Sequence, residues 1–131
     1  MNIVDSSGWL EYFSGGTNSD HFAEPLQDPK SLIVPVITIY EVFKVVLRES
    51  GENQALQAVA AMQKGTVIDL STSIAMRASK LSLHYGLPMA DSIILSTGQA
   101  YDSLIWTQDS DFENLPGVRF FPKAKTRPTH S

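Results

Sequence analysis

With 131 residues, 43% apolar and 18% charged, the chain is sized for one domain around one hydrophobic core, and its balance is globular rather than disordered. Cysteine is absent, which excludes disulfide frameworks, thiolate zinc sites and cysteine nucleophiles, and no run of about 18 apolar residues is present to cross a membrane. The net charge of −4, from 14 acidic and 10 basic side chains, excludes a protein that holds nucleic acid by nonspecific phosphate attraction alone, because such proteins are strongly basic.

Met1-Asn2-Ile3-Val4-Asp5 lacks the basic start and long apolar run of a signal peptide, so a soluble cytoplasmic protein is expected. Ile3-Val4 reads as a short strand that stops at Asp5. Ser6 to Phe13 follows as a helix with Trp9, Leu10, Tyr12 and Phe13 clustered on one side, ended by Gly15-Gly16. Asn18 or Ser19 caps a second helix to about Leu26, before the Asp28-Pro29 turn. Leu32-Ile33-Val34 is a buried strand, and Pro35 opens a long helix to about Ser50, closed by Gly51. Glu52 to Gln63 favours helix, with Ala55, Leu56, Val59, Ala60 and Met62 as its apolar face. Thr66 to Leu70 is a strand. Ser71 or Thr72 then caps a helix that carries Ile74, Ala75, Ala78, Leu81 and Leu83 to a stop at Gly86. Pro88 suits the first turn of a helix from about Met89 to Tyr101. Ser103 to Trp106 is a strand, followed by a polar segment with a short helix near Phe112. Val118 to Phe121 is the last strand.

Strands separated by helices demand a parallel sheet covered on both faces. Residues 1–121 make one domain. Residues 122–131, with Lys123, Lys125, Arg127 and two prolines, make a basic, loosely ordered tail.

Ligands of open parallel sheets bind at the carboxyl ends of the strands, and several acids fall there. Asp5 directly follows the first strand. Asp109 and Asp111 follow Leu104-Ile105-Trp106, with only Thr107 and Gln108 between. Asp91 lies in the first turn of its helix, and Glu41 lies roughly two turns into the helix after Leu32-Ile33-Val34. Most of these acids have a purely structural alternative. Asp5 suits a helix cap, Asp91 a favourable charge at a helix N-terminus, and Asp109 and Asp111 turn and cap positions.

Glu41 is harder to dismiss. Its helix, Val36 to Leu47, is apolar almost all the way round and calls for burial on several sides. A carboxylate in that setting needs a partner. Lys44, three residues on, offers an ion pair. A bound cation is the alternative, with Lys44 then a supporting neighbour. Magnesium takes hard oxygen ligands from a few carboxylates, and one or two such ions supply the activated water and charge stabilisation that phosphodiester cleavage requires. Clustered acids without a cation repel one another. Setting four carboxylates aside leaves ten acids against ten bases, so the remainder is near neutral.

Other chemistries find little support. His21, His84 and His130 lack the paired spacing of a zinc helix, and there is no Gly-rich phosphate loop or nucleophile elbow. An aspartyl-nucleophile phosphatase wants a second acid two positions after Asp5, where Ser7 stands. Trp9, Tyr12 and Phe13 read as core in part. Beside the Glu41 helix they leave room for a groove that takes a partner helix.

The segments Val4-Asp5-Ser6-Ser7, Tyr40-Glu41-Val42, Met89-Ala90-Asp91-Ser92-Ile93-Ile94 and Thr107-Gln108-Asp109-Ser110-Asp111-Phe112 occur in the order and spacing of a PIN-domain nuclease. Over residues 2–121 the chain most resembles the VapC toxins of toxin–antitoxin pairs. The resemblance implies an α/β/α sandwich with a central, mostly parallel sheet, a homodimer, and magnesium- or manganese-dependent endonucleolytic cleavage of RNA. It implies Asp5, Glu41, Asp91 and Asp109 as metal ligands and catalytic acids, and Asp111 as an auxiliary ligand. Ser7 and Thr107 match hydroxyl positions that arrange the site by hydrogen bonds; Lys44 is not part of the acidic signature. A cognate antitoxin, whose helix lies across the toxin and blocks the site, is implied too. The competing reading is a non-catalytic module of the same fold that binds a protein partner.

Overall fold

The computed structural model describes residues 1–124. The predicted tail is therefore seen only as far as Ala124, and Lys125 and Arg127 lie outside the described residues. Five short strands, β1 (Asn2–Val4), β2 (Ile33–Pro35), β3 (Thr66–Ile68), β4 (Leu104–Thr107) and β5 (Val118–Phe120), alternate with six helices. These are α1 (Ser6–Ser14), α2 (Ser19–Leu26), α3 (Val36–Ser50), α4 (Glu52–Met62), α5 (Thr72–Tyr85) and α6 (Met89–Ala100). Single 3-10 turns occupy Pro29–Ser31 and Ser110–Phe112. Element ends differ from the sequence reading by one or two residues, the usual fraying of boundaries.

Every strand pairing is parallel, as alternation with helices requires. The sheet is less continuous than expected. Strands β1, β4 and β5 form one hydrogen-bonded piece with β4 in the middle, β2 and β3 form another, and a single bridge between Asn2 and Leu32 joins them.

Side-chain alternation along these strands builds two cores. Val4, Val34 and Trp106 point to one face, where they meet Trp9 of α1, Phe22 of α2, Val42 of α3 and Met62 of α4. Ile3, Ile33 and Ile105 point to the other, against Leu87, Ile94, Leu95 and Phe112. Both faces are therefore covered, giving three layers, α/β/α. The approach of α1 to β1 depends on Gly8, where a Cβ would lie 2.5 Å from Val4 and 2.9 Å from Phe22. None of the described helices is long and apolar enough to cross a membrane.

Helix α3 departs from expectation. Instead of burial on several sides, only Thr38 and Val42 are buried, and Tyr40 is 60% exposed. The helix packs on α1, α4 and α6, which leaves Val36, Tyr40 and Leu47 as an outward apolar stripe.

Candidate metal centre

Parallel pairing of β1 with β4 sets Val4 beside Trp106, so the residues that follow the two strands meet at the same end of the sheet. The Asp5 amide donates to the Trp106 carbonyl at 3.1 Å. Asp5 is buried, only 2% exposed. Its Oδ1 accepts from the Gly8 amide at 3.0 Å and from the Ser7 hydroxyl at 2.8 Å, and its Oδ2 accepts from the Thr107 hydroxyl at 2.7 Å. The bond from Gly8 makes Asp5 the N-cap of α1. Of the alternatives the sequence offered for Asp5, the cap is formed, and the same carboxylate shares Thr107 with Asp109.

Thr107 extends the arrangement. Its Oγ1 accepts from the Asp109 amide at 2.9 Å, and Asp109 Oδ1 accepts from the Asp111 amide at 2.9 Å, capping the 3-10 turn. One chain of hydrogen bonds thus runs from Asp5 through Thr107 and Asp109 to Asp111. Asp91 enters from the first turn of α6, where carboxylate oxygens of Asp91, Asp109 and Asp111 lie within 4.8 Å of one another. The acids step outward from buried Asp5, through half-buried Asp91 and Asp109, to exposed Asp111.

Burial raises the Asp5 pKa to about 6, with hydrogen bonds from Thr107, Ser7 and Gly8 opposing and the charge of Asp109 reinforcing the shift. Asp91 is pushed further, to about 8, by burial first and then by the charge of Asp109, with Asp111 and Asp5 adding to it. Its place in the first turn of α6 also sets this carboxylate near a helix N-terminus, so both readings of Asp91 are compatible with the fold.

Glu41 stands apart from the tight trio. Its Oε1 accepts from the Ser6 hydroxyl at 2.6 Å, which links it to the residue next to Asp5. Ser6 carried no motif signal beyond its place after Asp5. The Glu41–Lys44 ion pair does not form. Lys44 is exposed and its ammonium sits 5.6 Å from the centre of the Tyr40 ring, where it keeps its hydration. Among the described residues the one ion pair is Arg48–Glu49, on the surface. Among the described residues no basic side chain is paired with the clustered carboxylates, and the donors are all hard oxygens. This donor set fits magnesium or manganese.

A groove of about 660 Å³ runs between α1, α3 and α4 and reaches the site at Ser7 and Gln108. Leu10, Phe13, Val45 and Val46 supply apolar lining, while Glu11 and Glu49 supply acid. The sequence had placed a groove beside these helices.

A parallel α/β/α sandwich with acids gathered at the carboxyl ends of β1 and β4 defines a class, and comparison identifies it. The PIN domain model matches residues 3–118, and the chain belongs to the PIN domain family. No curated protein matches it. Among solved structures it is similar to a toxin–antitoxin complex from Klebsiella pneumoniae, with 27% identity and a TM-score of 0.78, covering 91% of this chain and 96% of that one. A Mycobacterium tuberculosis VapC toxin described as cleaving the sarcin–ricin loop shares the fold at 14% identity and a TM-score of 0.74, covering 88% of this chain and 95% of that one. DNA-bound VapBC from Salmonella typhimurium does so at 14% identity and 0.71, covering 93% and 98%.

Proposed function

We propose that this chain is a divalent-metal-dependent endoribonuclease acting as the toxin of a toxin–antitoxin pair. The observation that carries the reading is the convergence of Asp91, Asp109 and Asp111, with Asp5 joined to them through Thr107 and no basic side chain among the described residues paired to them. Asp91, Asp109 and Asp111 would hold the ion, with Asp5 beneath them and Glu41 at the flank as further ligands. Bound there, magnesium or manganese supplies an activated water and stabilises charge on the leaving oxygen of a phosphodiester. Ser7 and Thr107 fix the Asp5 carboxylate, and Thr107 also orients Asp109 through its amide. Burial and the neighbouring charges raise the Asp91 pKa to about 8, so metal binding there would displace a proton below that pH. Ser7 stands where an aspartyl-nucleophile phosphatase wants its second acid, and its hydroxyl donates to Asp5.

The groove beside the site suits an antitoxin helix whose apolar face meets Leu10, Phe13, Val45 and Val46 and whose basic side chains meet Glu11 and Glu49. A second copy of the chain covers the exposed stripe of α3, making a homodimer. An RNA substrate and the lack of cysteine go with a cytoplasmic setting. The test incubates purified, partner-free protein with structured RNAs and magnesium, with and without EDTA, beside Asp5→Asn. Cleavage by the unaltered protein alone, abolished by EDTA, supports the reading. Equal activity in both proteins overturns it, and no cleavage of any RNA favours a module that only binds partners.

A further inference from the structure

Asn18 occupies the N-cap position of α2, yet its side chain makes no capping hydrogen bond. Asparagine at that position ordinarily accepts from a backbone amide of the first helical turn. Here the carboxamide turns away from its own helix. Its Nδ2 donates to the Gln108 side-chain Oε1 at 3.0 Å and to the Pro122 carbonyl at 3.1 Å. These partners lie 90 and 104 residues away, one just after β4 and the other just after β5. The loop that presents Asn18 is itself pinned, because the Asn18 amide donates to Glu11 Oε2 at 2.9 Å. That carboxylate fills the place a Cβ on Gly16 would take.

Gln108 is the residue next to Asp109. It is 8% exposed, and its amide donates to the Ser7 hydroxyl at 3.4 Å, the same hydroxyl that donates to Asp5. The turn that carries Asp109 is thus gripped on its inner side by Thr107 and on its outer side by Asn18 through Gln108. We infer that Asn18 is a positioning residue, a clamp that holds the segments after β4 and β5 together and thereby fixes Asp109 for metal binding. This inference rests on the metal site proposed above.

The experiment compares the unaltered full chain with Asn18→Ser and Gln108→Ala. Serine still caps a helix but cannot reach Gln108 and Pro122, so it separates the clamp from the stability of α2. Expected for both variants is a loss of Mn2+ affinity of about tenfold in calorimetric titration, the lower end of what removing a support of metal ligands costs. Melting temperature in EDTA should be unchanged in Asn18→Ser. Amide exchange at Asp109 and Asp111, followed by NMR in EDTA, should speed up in the variant while exchange within α6 does not. Unchanged Mn2+ affinity together with unchanged exchange overturns the inference. So does faster exchange spread evenly over the chain, since that reports a general loss of stability. If the unaltered chain binds no Mn2+, the metal reading fails, and the exchange at Asp109 still decides whether Asn18 clamps the turn.

Discussion

Asp5 shows how one side chain meets two demands. A buried carboxylate costs free energy unless donors surround it, and here a helix N-terminus and two hydroxyls provide them. Asparagine retains an acceptor for the Gly8 amide, so Asp5→Asn should keep the fold and melt no lower than the unaltered protein in EDTA at about pH 8. It should also lose the rise in melting temperature that Mg2+ or Mn2+ produces, which thermal melts with and without metal will measure. Asp91 sets the pH behaviour. Its pKa lies at about 8 in the fold against 3.8 unperturbed, so between these values the folded chain holds a proton that the unfolded chain has released. Stability without metal should therefore fall as pH rises from about 4 to about 8, with Asp5 contributing in the same direction up to about 6. Melting scans in EDTA across that range check the sign. A melting temperature that climbs toward pH 8 contradicts this account of Asp91.

At the scale of elements, α3 is the informative helix. Its inner side, through Thr38 and Val42, completes the core over the sheet, and Glu41 ties it to α1 through Ser6. Its outer stripe, Val36, Tyr40 and Leu47, is exposed. Apolar composition all round this helix raised the expectation of burial on several sides, and one chain satisfies it only in part. If a second copy covers the stripe, Tyr40→Glu should place a desolvated charge in the interface and shift the protein toward monomer in sedimentation velocity. Its far-UV circular dichroism should stay the same, since Tyr40 holds no intrachain core contact.

For the molecule as a whole, a cation held by the acid cluster as proposed would link folding to its binding. Clustered carboxylates that repel one another attract a divalent ion, and an ion that binds only the folded chain stabilises it by mass action. At a hundredfold excess over its Kd the gain is about 2.7 kcal/mol, enough for a shift of several degrees in a domain of this size. Calorimetric melts should show this shift with Mg2+ or Mn2+ and its reversal by EDTA. An equal concentration of sodium ions should not reproduce it, because a monovalent ion has half the charge with which to attract the clustered carboxylates.

Local patterning sufficed for much of this architecture. Alternating apolar stretches and helical periods made the strand–helix succession legible, and the acids after β1 and β4 marked which edge of the sheet to examine. Those signals are short-range, written in neighbours a few residues apart. Legibility stopped where partners are distant in the chain. That Asp5 caps its helix and shares Thr107 with Asp109, that Lys44 turns to Tyr40 rather than Glu41, that Ser6 reaches Glu41 and that Asn18 leaves its helix for Gln108 and Pro122 all depend on where the strands bring the backbone. A side chain with several available partners takes the one that packing brings within reach, and burial then fixes its charge. The acids themselves were thus written in the chain, while their grouping, with Asp111 inside the tight trio and Glu41 at its flank, was decided by the tertiary fold.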